Sequence, residues 1–509
     1  MNLDGAMSIA SGGLANVNRQ MALLSQNVAN AGTPDYAVEV SPQTSATANG
    51  LSLGVRSGPA QRQIDTLLQA ASFQQAAVVS GLQTTQTALQ AVDSVQGTPG
   101  QGGDLASLLG NLGNQFSALL SSPDNQAQQS QVVSAASSLA RGINTLSHTY
   151  ATQRQAAQTD LTGAIGTLNT TLRQIGSLSD KIVMLRLNGQ STADLENQRA
   201  AAVHGLSQLL SVRTMEQPGG DLLVTTPSGL VLPTRGQSAP FATGTANLDP
   251  TRSYAGGTVP PITLNGIDVT RQLQGGQIGA DITLRDTTLP AWQAELDEFA
   301  QGTASRFAAQ GLTLFSAPDG TVPAGGGVPA QSGYVGFAGI IQVNPAVQAQ
   351  PSLIRDGTDV ITGSPGGATG FTPNPPGGPT GFSALITRVL TYTLGDQVQS
   401  GVAQPPTNTT GLGPDGTLSA PYASPPTLTG LASALVGSQA QQSADTTAQL
   451  TTEQAVQTSL ADRLNASSGV NMDTEMSAMI TLQNAYGANA RVISTVQALF
   501  TQLLDAVHS

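Results

Sequence analysis

Residues 3–36, LDGAMSIASGGLANVNRQMALLSQNVANAGTPDY, contain the pattern that decides the fold. Apolar residues recur at alternating steps of four and three, the spacing of a helix face that packs along another helix. That face consists of Leu3, Met7, Ala10, Leu14, Val17, Met21, Leu24, Val28 and Ala31. We therefore predict a long N-terminal helix that stops near Gly32 in the left-handed conformation. A turn should follow at Pro34, with Asp35 at positive φ.

The other end of the chain repeats the pattern through Met472, Met476, Met479, Gln483, Tyr486, Ala490, Ile493, Gln497, Phe500, Leu504 and Val507. An ordinary core helix could carry such a stripe, but two stripes at opposite termini favour an antiparallel pair that also packs against neighbouring chains. The predicted assembly seam is Leu3, Met7, Leu14, Val17, Met21, Leu24, Val28, Met472, Met476, Met479, Tyr486, Ile493, Phe500, Leu504 and Val507.

Between the ends, helical periodicity continues to residue 210, with separate helices expected over 132–151 and 161–188. Short β-type runs follow, including 278–284. We predict an α+β fold in which long terminal and near-terminal helices form a coiled-coil-like bundle beside a β-rich middle domain. The predicted regions are 1–60 (N-terminal helix and extended segment), 61–210 (helical bundle), 211–362 (β-rich with one helix, 289–307), 363–428 (Pro/Gly-rich linker or loop) and 429–509 (C-terminal helices pairing with the N-terminal helix).

Composition excludes several classes of function. Charged residues make up 10% of the 509 residues, and the net charge is −12. Such a chain cannot neutralise a phosphate backbone or bind an anionic bilayer by charge, so we expect no nucleic-acid and no membrane partner. There is no cysteine, and the three histidines are far apart in sequence, so no metal site is expected. The N-terminus lacks the features of a cleaved signal peptide.

No catalytic constellation is found. The stretch 411–416, GLGPDG, fits G-x-G-x-x-G only formally, because proline stands where a helix should open. The only lysine, Lys181, lies in a heptad helix rather than a phosphate-binding loop. Glu295, Asp297 and Glu298 cluster on a predicted helix, where we expect a solvated face. The sequence predicts no enzyme and no cofactor.

Residues 25–36, SQNVANAGTPDY, resemble the N-terminal signature of flagellar rod, hook and hook-associated proteins, S-x-N-[IV]-A-N-x-x-T-x-G-Y. Asp35 stands where that family usually has glycine. Residues 469–493, GVNMDTEMSAMITLQNAYGANARVI, look like the C-terminal half of the same signature. The family-motif residues carried over are Asn27, Asn30, Thr33, Pro34 and Tyr36.

The interior is similar to the FlgK-type hook-associated proteins, the group also called hook-associated protein 1. DLENQR at 194–199 resembles their L-x-D-Q-R-D element, with Asn197 and Ala200 in place of acids. GGQIG at 275–279, followed by Arg285-Asp286, resembles a second conserved block. Further matching residues of these elements are Leu289-Pro290, Leu296-Asp297 and Val343-Asn344-Pro345.

This resemblance implies a structural subunit of the bacterial flagellum, at the junction of hook and filament and needed for filament assembly. It implies export without a cleaved signal peptide, by the flagellar type III apparatus, to an extracellular position. The implied partners are further copies in a ring, the hook protein, a second junction protein or filament subunits, and an export chaperone. One alternative is a hook or distal-rod protein, which usually lacks the helical block at 105–210. Another is an extracellular adhesin or lytic enzyme carried on flagellar-type termini.

Overall fold

The computed structural model describes residues 3–48, 51–98, 100–236, 239–363 and 370–508. Its fold class is α+β, as the sequence predicts. The helices are α1 Leu3–Ala29, α2 Thr66–Gln96, α3 Leu105–Leu120, α4 Gln126–Leu187, α5 Ala193–Leu209, α6 Gly276–Thr283, α7 Leu289–Ala308, α8 Pro345–Ala349, α9 Leu353–Asp356, α10 Ala384–Arg388, α11 Leu428–Ser468 and α12 Met472–His508.

The strands are short and pair only in antiparallel fashion within the described ranges. Two-stranded units join β1 Glu39–Val40 with β4 Gln61–Arg62, β2 Gln43–Ala48 with β3 Leu51–Ser57, β5 Arg213–Glu216 with β6 Leu222–Thr225, β10 Phe315–Ser316 with β11 Gln342–Val343, β12 Gln397–Gln399 with β13 Val402–Ala403, and β14 Thr410–Leu412 with β15 Leu418–Ser419. A three-stranded sheet contains β7 Phe241–Thr243, β8 Ile262–Leu264 and β9 Ile267–Asp268. The region 211–362 therefore contains small sheets and also α6 to α9.

Helix α4 extends without interruption over 62 residues and is the central element of the fold. At 1.5 Å per residue it is about 93 Å long. The expected break between 151 and 161 is wrong, because that stretch contains neither glycine nor proline and its buried Arg154, Ala157 and Gln158 continue the inward face. The helix begins where the Asn125 side chain accepts the Gln128 N–H, and it ends before Gly189, whose φ is +65°.

Two hydrophobic cores lie along α4. The first contains Leu139 and Ile143 of α4 with residues of α3, α7 and α11, such as Phe116, Phe299 and Leu435. The second contains the later residues Leu161 to Ile175 with α5 and the sheets that follow it. Helix α4 thus contributes to both cores. In each core its apolar face is buried against other elements, because an isolated helix cannot bury its own apolar face.

Residues 278–284, expected to form a strand, instead belong largely to α6. The helix starts at Gly275-Gly276, where φ is +70° and +61°. A Cβ on Gly276 would lie 2.5 Å from the backbone of Leu209 and Leu210. Only glycine permits both this left-handed backbone and this close approach, which is the physical reason for the GGQIG stretch.

Replacing Gly276 with alanine should destabilise the chain by more than about 1 kcal/mol, because the added methyl group meets backbone atoms at a positive φ. The control is Gly163→Ala in α4, where a Cβ meets nothing within 4 Å. That variant should gain about 0.5–1 kcal/mol through helix propensity. Urea denaturation of both variants measures the difference; equal stabilities would contradict this account of α6.

The interpretation of 363–428 as a linker or loop is wrong for much of its length. Residues 364–369 lie outside the described part of the structure, but α10 and two β-hairpins fall within the rest. Leu385, Ile386 and Val389 are fully buried in the first core. High Pro and Gly content hid these elements because it marks turns, and here the turns connect packed pieces.

The expected solvated face at Glu295, Asp297 and Glu298 is also wrong, because all three side chains are buried. Asp297 accepts the backbone N–H groups of Gly336 and Ala338 at 2.7 and 2.9 Å. Glu298 accepts the Tyr334 hydroxyl at 2.6 Å. These carboxylates hold the loops around α7 in place, and their polar partners replace the water they lose.

Glu295 has the weakest compensation of the three: the Tyr422 hydroxyl donates to it at 3.3 Å. Burial raises the pKa of Glu295 to about 8. A folded-state pKa above the unfolded value of 4.5 means that its stabilising contribution is complete at low pH. That contribution is lost as pH rises through 8.

Glu295→Gln should therefore flatten the dependence of unfolding free energy on pH between about 5 and 8. The contribution removed approaches about 1.4 kcal/mol per pH unit within that window. Denaturation at several pH values measures it, with the exposed Asp445→Asn as the charge-matched control. A pH slope unchanged from wild type would show that Glu295 stays ionised in the fold.

Candidate assembly site at the paired termini

Helices α1 and α12 pack antiparallel along each other. Gly13 faces Asn489, since a Cβ on Gly13 would lie 3.1 Å from Asn489 Oδ1. Asn27 Nδ2 lies 3.5 Å from Glu475 Oε2. Moving 14 residues forward along α1 thus moves 14 residues backward along α12, which fixes the register. Gly13 leaves room for the Asn489 side chain at this point.

On α1, the predicted seam faces inward to different depths. Val17 and Leu24 are buried, as is Ala10. The remaining predicted residues are half-buried: Leu3, Met7, Leu14, Met21 and Val28. The β2–β3 hairpin covers part of this helix, because Gly54 packs against Ile9. Apolar burial along one stripe is the main stabilising contribution to the pairing.

On α12, the predicted stripe is turned partly away from α1. Met479, Ile493 and Phe500 are half-buried, whereas four others are exposed: Met472, Met476, Tyr486 and Leu504. The side chain of Val507 lies outside the described residues. The residues that α1 covers include Val496, which is buried, and the half-buried Leu482 and Ala485. Sequence reasoning missed this neighbouring stripe, although the helical spacing of Leu482, Ala485, Asn489 and Val496 indicates it.

Asn27 connects the end of α1 to the chain that follows. Its Nδ2 donates to the Glu39 carbonyl at 3.0 Å, and its Oδ1 accepts the Glu39 N–H at 3.0 Å. The same Oδ1 accepts the Tyr36 hydroxyl at 3.1 Å. The buried amide therefore pairs with the backbone of Glu39 as a neighbouring strand would. An aspartate could not donate the first of these bonds.

The other motif residues shape the turn between α1 and Glu39. Asn30 Oδ1 accepts the Thr33 hydroxyl at 3.2 Å, and the Tyr36 N–H donates to the Thr33 carbonyl at 3.3 Å. Pro34 is exposed in this turn. Asp35 has a φ of +61°, the left-handed conformation that the sequence predicts. Gly32 does not take a positive φ, so the expectation of a left-handed helix stop there is wrong.

Asp35 replaces the family's usual glycine and gains a partner. Its Oδ2 pairs with Nδ1 of His204 on α5. The hydrogen bond to Asp35 raises the pKa of His204 above its usual value. The strain of a non-glycine residue at positive φ is thereby offset by a charge-assisted contact.

Asn197 of α5 binds the same segment from the opposite side. Its Oδ1 accepts the Ala37 N–H, and its Nδ2 donates to the Ala37 carbonyl, both at 3.1 Å. Nδ2 also lies 3.1 Å from Glu39 Oε1. An acid at this position would face the buried Glu39 carboxylate and could not donate to it. The amide nitrogen is what lets position 197 bond both the Ala37 carbonyl and the Glu39 carboxylate.

Ser468, at the end of α11, completes the arrangement. Its carbonyl accepts the Val38 N–H at 2.8 Å, and its Oγ accepts the Asp65 N–H at 3.1 Å. Residues 37–39, which we call the clasp segment, are thus bonded to α1, α5 and α11. The side-chain amides of Asn27 and Asn197 bond to the backbone of this segment as a neighbouring strand would, and these bonds hold the helices together.

Metal sites and membrane-spanning helices were both sought among the residues that the structure describes. No group of three or more His, Cys, Asp or Glu side chains there is placed to hold a metal ion. No helix in the described part of the chain is long and apolar enough to cross a membrane.

Two segments of the chain are similar to known protein families. Residues 89–320 match the family model described as the helical domain of flagellar hook-associated protein FlgK. Residues 465–506 match the model described as the C-terminal part of the flagellar basal body rod FlgEFG proteins. The chain therefore contains a segment similar to the FlgK helical domain and a C-terminal segment similar to the rod proteins. The first match extends from α2 to beyond β10, and the second covers the end of α11 and most of α12.

A solved structure is also similar to part of the chain. It is the flagellar hook junction protein FlgK from Burkholderia pseudomallei, with 24% sequence identity and a TM-score of 0.40. The match covers 51% of this chain and 46% of that chain, so it spans about half the length of each. No curated protein sequence matches significantly.

The register of the terminal pair predicts which engineered cysteines will cross-link. Gly13→Cys with Asn489→Cys should form a disulfide readily, because these positions face each other and the chain has no native cysteine. The control is Val17→Cys with Ile493→Cys, whose partners in the observed register are eight residues apart, about 12 Å along the helix. A disulfide needs Cα atoms within about 7 Å. Equal cross-linking of both pairs would contradict the register.

Proposed function

We propose that this protein is a structural subunit of the bacterial flagellum that forms the junction between hook and filament and is needed for filament assembly. The observation that carries the proposal is the match of residues 89–320 to the helical domain of FlgK. The paired termini, with their match to the C-terminal part of rod proteins, supply the second half of the argument.

The paired termini support self-association. After α1 has covered one stripe of α12, Met476, Ile480 and Leu504 remain 51%, 58% and 57% exposed. A row of large apolar side chains on one helix marks an interaction surface. We propose that this open face packs against the next copy of the chain in a ring, and that the same end of the molecule contacts the hook protein.

The remaining partners belong to the same proposal. A second junction protein or filament subunits would dock on the assembled ring, and a chaperone would protect the apolar termini before export. Export through the flagellar type III apparatus, without cleavage, would place the protein outside the cell at the hook–filament junction. The absence of cysteine suits this route, because no disulfide can form before export.

A hook or distal-rod protein is the alternative with the same termini. The match of 89–320 to a FlgK helical domain favours the junction role, since the continuous helix α4 lies within that block. An adhesin or lytic enzyme on flagellar-type termini is a different class of function. Zymography on peptidoglycan distinguishes it, because a cleared band would defeat the structural proposal.

Electron microscopy of a strain lacking this chain tests the proposal. The expected result is hooks without filaments, with filament subunits shed into the medium. Normal filaments in the deletion strain would overturn the junction role. Missing hooks would instead indicate the hook or distal-rod alternative.

The open face of α12 can be tested without breaking the fold. Met476→Asp places a charge on an exposed apolar position, so the isolated chain should melt as wild type does, while filament formation fails. Asn484→Asp adds the same charge to the same helix at an exposed position that is already polar, so this matched control should assemble. The measurement is swimming motility together with filament counts in the complemented deletion strain. Normal filaments with Met476→Asp would contradict the docking role of this face.

A further inference from the structure

A cavity of about 210 Å³, lined by both polar and apolar side chains, lies where α2, α4 and α6 meet, away from the paired termini. Each helix contributes two polar side chains to its wall. They are Thr84 and Thr87 of α2, Gln153 and Asp160 of α4, and Gln277 and Asp281 of α6. All six carry oxygen atoms, and neither arginine nor lysine is among the described residues that line the cavity.

Asp281 is the feature that needs an explanation. The residue is 1% exposed, and its Oδ2 has no hydrogen-bond partner among the described residues. Gln277, one turn earlier, interacts with its carboxylate. An ionised carboxylate with an unsatisfied oxygen is costly to bury unless a cation or donor compensates it.

The surroundings make the cost larger rather than smaller. Asp160 of α4, which is exposed, also lines the cavity and adds a second negative charge close to Asp281. Arg285 is the nearby cation, but its guanidinium is bonded to both carboxylate oxygens of Asp286 and to Gln158. Asp281 and Asp160 therefore share a cavity without a committed positive partner.

The neutral side chains leave acceptors free. The Thr84 hydroxyl donates to the Ser80 carbonyl at 3.0 Å, and the Thr87 hydroxyl donates to the Gln83 carbonyl at 2.9 Å. Each hydroxyl oxygen keeps lone pairs that it does not use as a donor. Oxygen-only donor sets of this kind suit hard cations rather than transition metals.

We propose that this cavity binds a divalent cation of the calcium class through the carboxylates of Asp160 and Asp281. Two carboxylates neutralise the charge of the ion, and side-chain oxygens of the same cavity together with water complete its shell. Calcium accepts such mixed, irregular oxygen sets, whereas magnesium demands near-ideal octahedral geometry. The bound ion would join α4 to α6 at the point where the two hydrophobic cores meet on α4.

The proposal does not depend on the hook–filament role. Sites in extracellular proteins with few carboxylates bind calcium with dissociation constants of about 0.1–1 mM. A cation bound only by the folded chain stabilises it in proportion to its concentration. The bundle would therefore be more stable in calcium-containing medium than in chelator.

The test uses the purified full-length chain, stripped with chelator and held at constant ionic strength at pH 7.5. Wild type should bind one Ca²⁺ in calorimetry and should show a saturable rise in melting temperature with added CaCl₂. Asp281→Asn and Asp160→Asn should each lose both effects. Asp462→Asn, an exposed change on α11, removes the same charge elsewhere and should keep them.

Asp281→Asn also separates binding from folding. Removing a buried charge should leave the calcium-free variant at least as stable as wild type, so lost binding cannot be ascribed to unfolding. Wild type without saturable Ca²⁺ binding would overturn the proposal. Retention of wild-type binding by Asp281→Asn or by Asp160→Asn would overturn it equally.

Discussion

Three consecutive backbone amides, those of Ala37, Val38 and Glu39, each donate to a different helix of the protein. Ala37 donates to Asn197 of α5, Val38 to Ser468 of α11, and Glu39 to Asn27 of α1. A buried backbone amide must find a partner, and here each partner comes from a separate part of the chain. The N-terminal helix, the helical bundle and the C-terminal helices meet at these three residues, and the placement of the terminal pair depends on them.

The long helix α4 is the rigid element to which this meeting point is connected. Both hydrophobic cores use α4, so a helix docked at one end of it is fixed relative to the whole body. Helix α5 folds back after Gly189 and presents Asn197 and His204 toward residues 35–39. The terminal helices are then free to expose one apolar stripe of α12, because the clasp segment rather than that stripe attaches them to the rest of the chain.

Sequence reasoning could find what depends on local spacing. The heptad faces predict α1 and α12, and Asp35 is a residue that tolerates the positive φ it has. Sequence reasoning failed where tertiary contacts determine the local structure. Helix α6 replaces an apparent strand because Gly276 must meet the backbone of Leu209, which no local pattern reveals. The sequence also predicts a solvated face where three carboxylates are in fact buried, those of Glu295, Asp297 and Glu298. Loops from 331–338 and 408–422 cover them, and the charge of a residue alone cannot reveal such a contact.

The α12 stripe shows a different limit of the sequence. Two apolar ladders run side by side on that helix, and periodicity cannot say which one faces α1 and which one stays open. At Asn197, by contrast, the structure gives a role to a residue that departs from the family pattern. The departure from the family's acid looks like a weakness in the resemblance, yet the amide is what allows one side chain to bond both edges of the Ala37 backbone.

Residue-resolved hydrogen–deuterium exchange on the full-length monomer tests the central claim most directly. The account predicts that the amides of Ala37, Val38 and Glu39 all exchange slowly. In Asn27→Ala the Glu39 amide should lose its protection together with α1 and α12, while the Ala37 amide, held by Asn197, and the amides of α4 should stay protected. Exchange of all three amides at the rate of a free chain in wild type would contradict it, as would a Glu39 amide that remains protected without Asn27.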